Sequence, residues 1–285
     1  MEAILEAAER VLRTEGYGAA STNRVARVAG FSVGSLYQYF DDKQAVVGSL
    51  LDQALRAEAE RLAQLLDTLA RAEAAAARER SVRALLAERR SKAHLLRILD
   101  AHAPELCGEP PQRHVLRVQA AALADPLHRF AAVHFADAFR GAFDEGLAVT
   151  SRLVHAVGYA LAVDGPDHLD EEAIARALVD ALGALGNGTS PLLPVVRELQ
   201  GAWSHGGSAF ADAAGRARRI RETRSALMRG ADLPPGALEP TVFLVAALGE
   251  VMAELREHPA PGLDPARLAD VGGRLLQACL GVALR

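Results

Sequence analysis

The stretch from Gly16 to Phe40 contains no Asp or Glu, although the chain carries a formal net charge of −4. It includes two arginines and the run Tyr37-Gln38-Tyr39. A surface that approaches phosphate must exclude carboxylates, because each one would repel the nucleic-acid backbone. An amide such as that of Gln38 can hydrogen-bond a base edge, while hydroxyl and guanidinium groups suit phosphate oxygens. These residue types therefore predict contact with DNA.

Two short helices joined by a tight turn would present these side chains. Ser21 or Thr22 can cap the first helix by accepting a hydrogen bond from a free backbone N–H. Gly30 can end that helix in a left-handed conformation, and Ser32 can cap the second. The second helix has an apolar stripe at spacings of three and four: Val33, Leu36 and Phe40. A three-residue turn is typical of helices that meet at a steep angle.

A third helix precedes this pair. Its apolar face consists of Ile4, Ala8, Val11 and Leu12, and Gly16-Tyr17-Gly18 ends it. Three helices of this length can share a small core. The alternative is a short neutral helical hairpin in an all-α core, which gives no reason for three adjacent polar and aromatic residues at 37–39.

The segment from Ile4 to about Leu51 resembles the N-terminal domain of TetR/AcrR-type transcriptional regulators. The matching positions are Gly16-Tyr17, Thr22, Ala29-Gly30, Ser32 to Phe40 and Lys43. The resemblance covers about a sixth of the chain, and it is specific because several spaced positions agree at once. Family members usually carry a short basic arm before the first helix. This sequence starts at Met1 within that helix, so contacts from an arm are not expected unless residues precede Met1.

The resemblance implies individual roles at the DNA surface. Phosphate would be held at a helix N-terminus by Thr22, Asn23 and Arg24. Base edges in the major groove would be faced by Val33, Gly34, Ser35 and Gln38. Phosphates or the groove wall would be reached by Tyr37 and Tyr39. The remaining candidates are Arg27, Ser32 and Lys43, the last on phosphate. For each tyrosine the alternative is a half-buried ring that stacks on the first helix.

The composition limits the fold and the class of protein. Half of the 285 residues are hydrophobic and strand signals are almost absent, so the sequence predicts an all-α fold with a sizeable core. Cys107 and Cys279 lie far apart, which fits a reducing cytoplasm without a disulfide framework. The acidic first helix is no signal peptide, and no apolar run nears the length of a membrane span.

No catalytic or metal-binding motif accompanies this segment. The sequence lacks a Gly-rich phosphate loop, a serine nucleophile elbow, an HExxH motif and a paired cysteine set for zinc. The spacing of His128, His134 and Asp137 matches no compact ligand set. We therefore expect neither an enzyme nor a cofactor.

Beyond Gly48 the resemblance implies a linker helix leading into a regulatory domain. Residues 71–90 could form a solvated helix or a hinge, and residues 107–111 are the first strong break. Residues 127–143 are interpreted as one aromatic helix. In the family, the middle helices enclose a pocket for a small, often hydrophobic effector, so the candidate lining is Phe130, His134, Phe135, Phe139 and Phe143. The alternative is ordinary core packing.

The sequence contains a weak internal repeat. Thr150–Gly158 and Thr241–Gly249 share the pattern Thr-x-x-Leu-Val-x-Ala-x-Gly. Each is followed by a loop with a proline (Pro166 or Pro259) and by a Leu-Asp pair whose aspartate can cap the next helix. Each copy resembles the last two helices of the TetR-type regulatory domain, which form a four-helix bundle with their counterparts in a second subunit.

Two interpretations of the repeat stay open. In the first, the regulatory region is partly duplicated, and the helix pairs 150–186 and 241–283 form the bundle within one chain. In the second, the similarity is chance among Ala- and Leu-rich helices, and the C-terminal part is an extra lobe. The best linker between the copies is Gly186 to Pro191, and the only tryptophan, Trp203, follows it.

The sequence thus predicts three regions. Residues 1–47 form the helix-turn-helix domain, residues 48–187 a helical ligand-binding and dimerisation domain, and residues 188–285 an additional helical region. The expected function is that of a cytoplasmic repressor. It binds double-stranded operator DNA as a homodimer and is released by a small-molecule effector. The alternative is an all-α interaction protein whose helix-turn-helix contacts protein.

Overall fold

A computed structural model describes residues 1–165, 170–185, 199, 213–231, 233–234 and 236–283. These residues form helices, turns and loops without a strand, which confirms the all-α prediction. The helices are α1 Glu2–Ala19, α2 Thr22–Ala29, α3 Val33–Tyr37, α4 Lys43–Leu69, α5 Ala74–Ser91, α6 Ala93–Leu106, α7 Pro111–His134, α8 Phe143–Asp164, α9 Glu171–Gly183, α10 Ala213–Gly230, α11 Leu238–Glu257 and α12 Pro265–Ala283.

Helix α4 connects two hydrophobic clusters. The N-terminal cluster joins α1–α3 and the first half of α4 to α6, and it includes Leu50 and Leu51. The larger cluster contains the second half of α4, with Leu66 and Leu69, and combines it with α5, α7–α9 and α10–α12. At 1.5 Å per residue, the 27 residues of α4 span about 40 Å. One continuous helix therefore links the N-terminal unit, which consists of α1–α3 and the start of α4, to the rest of the core.

A four-helix bundle closes within the single chain. Helix α11 packs against α8, α9 and α12, and α12 packs against α8 and α9. Asp170 caps α9 by accepting from two backbone N–H groups, and Asp264 caps α12 in the same way. The two capped helix pairs and their packing agree with the first interpretation of the repeat. The predicted linker at 186–191, the loop residue Pro166 and Trp203 lie outside the described residues.

The prediction of one aromatic helix over residues 127–143 is wrong. Helix α7 ends at His134, turns follow, and α8 begins at Phe143. Gly141 adopts a φ of 80° within this connection, a conformation that interrupts a right-handed helix. The phenylalanines therefore belong to two helices and the turn between them.

Residues 71–90 form neither the solvated helix nor the hinge that the sequence suggested. Glu73 caps α5 by accepting from the N–H groups of Ala75 and Ala76. The helix then buries Val82, Leu86 and Arg89, so it is part of the core. The charged residues between these positions hid the apolar face from the sequence pattern.

Among the described residues, α8 is the one helix long and apolar enough to cross a membrane, with a mean hydropathy of 1.3. Within its most apolar window, 67% of the residues are buried inside the protein. Core burial explains this composition, because helices that are hydrophobic all round occur in the interiors of large proteins.

Glu250 gives the stability of the fold a pH dependence. It lies on α11 and is 4% exposed, and burial raises its pKa to about 7, against the attraction of Arg219 and Arg216. The unfolded chain releases this proton near the usual value of 4.5. The folded protein therefore binds more protons between these values, and stability falls as the pH rises through this window.

We expect Glu250→Gln to raise the free energy of unfolding at pH 8 and to change it little at pH 5. At pH 5 the wild-type side chain is already neutral in the folded state, so the substitution removes no charge. Urea titrations of both proteins at both pH values measure the effect. An equal change at the two pH values would contradict the assignment of this proton to Glu250.

Candidate nucleic-acid interface

Side-chain caps and one left-handed glycine shape the helix-turn-helix. The Ser21 hydroxyl accepts from the Arg24 N–H at 3.2 Å, and the Ser32 hydroxyl accepts from the Ser35 N–H at 3.0 Å. Gly30 has a φ of 76°, where other residues would be strained. The predicted ends of α2 and start of α3 are thus confirmed, with Ser21 as the cap of α2.

The two helices bury one face and expose the other. Val25, Ala26, Leu36 and Phe40 are at most 6% exposed and fix α2 and α3 on the N-terminal cluster. The exposed candidates are Asn23, Arg27, Ser32, Gly34, Tyr37, Gln38 and Tyr39. The partly buried ones are Thr22, Arg24, Val33, Ser35 and Lys43. The short α3 therefore presents its polar side to solvent.

The tyrosines lie on the exposed face. Tyr37 and Tyr39 are 52% and 57% exposed, which favours the DNA interpretation over stacking on α1. The Tyr37 hydroxyl is 3.3 Å from that of Thr22, so the end of α3 adjoins the start of α2. Phe31, in the turn, is 48% exposed and was missed by the sequence analysis. Its position in a three-residue turn could have indicated an exposed ring, because such a turn leaves little room to bury one.

Arg24 is paired with a carboxylate in the free protein. Its guanidinium donates to both oxygens of Glu15, with Nε at 3.0 and 3.1 Å and a terminal nitrogen at 2.6 Å. This hydrogen-bonded pair lowers the pKa of Glu15 and raises that of Arg24. Glu15 stands one residue before the acid-free stretch, and the kink at Gly16, with a φ of 79°, separates it from that stretch. Glu15 therefore occupies the donors of Arg24 that a phosphate would need.

Lys43 lies at the junction between the N-terminal unit and α6. Its Nζ donates to the Tyr17 carbonyl at 2.5 Å and sits 3.5 Å from the centre of the Tyr17 ring. The same ring stacks on His102 of α6, with 4.0 Å between centroids. Burial lowers the pKa of Lys43. The ammonium thus helps to hold the unit against α6, and a phosphate would share it with that carbonyl.

A second site is a cavity of about 300 Å³ among α4, α5, α7 and α8. Three of the predicted effector-pocket residues line it: Phe130, Phe135 and Phe139. His134 and Phe143 do not. The His134 ring donates to the Leu69 carbonyl at 3.0 Å, and Phe143 meets His128 edge-on. Both residues were predicted to line the pocket because residues 127–143 were interpreted as one helix. The structure divides this segment between α7, a turn and α8.

Several polar residues that the sequence analysis missed also line the cavity. They are Arg78, Arg89, Gln119, Thr150, Arg152 and His155. They come from three helices that are distant in sequence, so no local spacing marked them. No group of three or more His, Cys, Asp or Glu side chains is placed to hold a metal ion in the part of the chain that the structure describes.

Comparison with family models identifies the N-terminal unit. The model described as "Bacterial regulatory proteins, tetR family" matches residues 4–50. This range covers most of α1, all of α2 and α3 and the start of α4, with all the DNA-surface candidates. Neither the curated proteins nor the solved structures compared with the chain gave a match. Members of the matched family are regulators. Residues 4–50 therefore form a DNA-binding domain of the kind found in the tetR family of bacterial regulatory proteins.

Proposed function

We propose that this regulator represses transcription by occupying a specific operator, and that a small molecule in the cavity releases it. The observation that carries the DNA-binding part is the exposed, carboxylate-free face of α2, the turn and α3. We assign the exposed Gln38 on this face to an adenine edge, and we assign Val33, Gly34 and Ser35 at the start of α3 to neighbouring base edges. Thr22, Asn23 and Tyr37 supply donors for phosphate.

Helix α4 supports coupling between the two sites. It begins at Lys43, beside the DNA surface, and its later residues Leu62, Leu65 and Leu66 line the cavity. Between them, Glu58 pairs with Arg89 at 3.1 Å, and Arg89 also lines the cavity. A ligand that displaces Arg89 would therefore act on the helix that carries the DNA-binding unit. It can shift the equilibrium only by its difference in affinity for the two states.

Fluorescence anisotropy with the intergenic DNA upstream of the gene tests the proposal. We expect the full chain to prefer one such duplex over a scrambled duplex by about a thousandfold or more. We also expect affinity to fall steeply between about 50 and 200 mM salt. Equal affinity for both duplexes would contradict operator recognition.

Among the described residues, the four-helix bundle within one chain leaves no equivalent bundle for a second chain to form, although the family resemblance implies a homodimer of that kind. The faces of α8 and α9 that such a dimer would use are covered by α11 and α12 of the same chain. Outside the N-terminal unit, Val133 and Met228 are the only exposed large hydrophobic residues among those described. We therefore propose that two copies pair only on the operator, where each places one α3 in successive major grooves.

Light scattering distinguishes pairing on DNA from pairing in solution. We expect the free chain to have a mass of 30.2 kDa at micromolar concentrations and to form a two-to-one complex with its operator. The physical reason is the lack of an uncovered apolar face among the described residues. Twice the single-chain mass without DNA would contradict this proposal.

Glu15→Gln should tighten DNA binding several-fold at low salt. The substitution removes a carboxylate beside the phosphate-facing surface and frees Arg24 from its hydrogen-bonded pair. The logarithmic salt slope should steepen by about one, as expected for one added phosphate contact. Anisotropy titrations with a random-sequence duplex measure both quantities. Unchanged affinity and slope would show that Arg24 makes no phosphate contact.

The cytoplasm is the compartment we propose for this activity. Cys107 and Cys279 are both free, and burial raises the pKa of each thiol. Unpaired cysteines are typical of proteins from reducing compartments.

A further inference from the structure

The cavity combines an apolar wall with an excess of hydrogen-bond donors. Most of its lining is leucine, alanine and phenylalanine, while no Asp or Glu lines it. Its polar residues include Arg89, Gln119 and His155, which are joined by hydrogen bonds from the Arg89 guanidinium at 3.0 and 3.1 Å. An apolar cavity with a few convergent polar groups is typical of a small-molecule site.

His155 directs a donor that has no acceptor in the described protein. A guanidinium only donates, so the His155 Nδ1 must accept the hydrogen bond from Arg89. Burial, together with the charges of Arg89 and Arg152, holds the pKa of His155 well below its usual value. The ring is therefore neutral, with its proton on Nε2. His155 is 4% exposed, and this Nε2 is buried without a hydrogen-bond partner among the described residues.

Thr150 adds a second unmatched group on the same helix. It is 8% exposed, and its buried hydroxyl has no hydrogen-bond partner among the described residues. A buried donor without a partner loses its hydrogen bonds to water and gains none in return, which costs free energy. A ligand atom that accepts from both groups would recover this cost.

Arg152 supplies positive charge that no described carboxylate neutralises by direct contact. One terminal nitrogen of its guanidinium donates to the Ala148 carbonyl of its own helix at 3.3 Å. Burial lowers its pKa, against a longer-range attraction from Glu254. Arg89 differs, because Glu58 balances its charge at 3.1 Å. The excess charge at the cavity therefore favours an anionic ligand.

We propose that the cavity binds a carboxylic acid with an apolar body. Its carboxylate accepts from the His155 Nε2–H and the Thr150 hydroxyl and faces Arg152, while the body lies against the leucine and phenylalanine side chains. A neutral hydrocarbon would leave these donors unmatched, and a cation would meet Arg152. This assignment rests on the proposed effector function of the cavity and specifies the class of effector.

Calorimetric titration of the full chain with three ten-carbon probes tests the assignment. Decanoate, decanol and decylamine share one apolar body and differ in the head group. We expect decanoate to bind at least tenfold more tightly than decanol, and decylamine to bind more weakly than either. In Arg152→Gln and in Thr150→Val, the advantage of decanoate should shrink several-fold while decanol binding is retained. Arg140→Gln is the matched control, since Arg140 is exposed and outside the cavity lining.

Three outcomes would overturn the assignment. Decanol could bind as tightly as decanoate, none of the probes could bind, or both cavity variants could keep the full preference for decanoate. Binding of the upstream duplex without any probe tests the DNA-binding function separately. A chain that binds this duplex but not decanoate would contradict only the ligand assignment. A chain that binds decanoate but no DNA would contradict only the proposed operator binding.

Discussion

Gly34→Glu should weaken operator binding by at least a hundredfold without disturbing the fold. Gly34 is exposed on α3, and a Cβ at this position would meet only the Ser32 hydroxyl, at 3.8 Å. Glutamate also favours a helix interior more than glycine does. In the complex, however, its carboxylate would face the DNA. Like charges brought together at an interface cost several kcal/mol, and each 1.4 kcal/mol changes affinity tenfold.

Anisotropy titration with the operator duplex measures this loss, and thermal unfolding checks the fold. Gln64→Glu is the matched control, because it adds the same charge at an exposed site on α4, about 30 Å along the helix from Lys43. We expect the control to bind almost as tightly as wild type. Similar losses in the two variants would mean that net charge, rather than the α3 surface, governs binding.

Glu58→Ala should lower the free energy of unfolding by about 3–5 kcal/mol, because it leaves a buried charge without its counterion. Glu58 and Arg89 are 0% and 1% exposed, and their charged atoms lie 3.1 Å apart. Burial raises the pKa of Glu58 and lowers that of Arg89, so each charge depends on the other. The double variant Glu58→Leu with Arg89→Met should recover most of the loss, since it removes both charges.

Urea unfolding of the single and double variants measures the effect. Arg61 and Glu88 provide the control, because they join the same two helices at 2.7 Å but are partly exposed. Glu88→Ala should cost only about 0–1 kcal/mol, as is typical of surface pairs. Equal losses for Glu58→Ala and Glu88→Ala would contradict a special role for the buried pair.

The helix-turn-helix was predictable because its determinants are local. Ser21, Gly30 and Ser32 act on backbone groups within four residues of themselves, so their spacing alone places the ends of α2 and α3. The caps Asp170 and Asp264 were predictable for the same reason. In each case the residue type has one dominant use at a helix end.

The cavity was not predictable from spacing, because its lining meets only in the folded chain. Arg89, Gln119 and His155 lie on α5, α7 and α8 and read locally as ordinary surface residues. The prediction of one aromatic helix failed for a related reason. The spacing of the phenylalanines fits one helix, but Gly141 and the turns before it divide them between α7 and α8. The Arg24–Glu15 ion pair was not predicted, because it depends on the direction that the chain takes after the kink at Gly16. The sequence pattern does not give this direction.

The closure of the four-helix bundle was only partly predictable from the sequence. The repeat indicated two equivalent helix pairs, yet their pairing within one chain or between two chains depends on packing that no single pair contains. The packing of α11 on both α8 and α9 decides this point for the described residues. The DNA-contact residues and the domain limits at 47 and 187 remain predictions for experiment.

Selection from a random duplex library tests whether the protein recognises a DNA sequence through α3. The full chain and its Gly34→Glu variant would each be used to enrich DNA at about 150 mM salt, where non-specific binding is weak, and the bound duplexes sequenced. We expect the wild-type chain to enrich one sequence motif and the variant to enrich none. No motif with the wild-type chain, or the same motif with the variant, would contradict DNA recognition through α3.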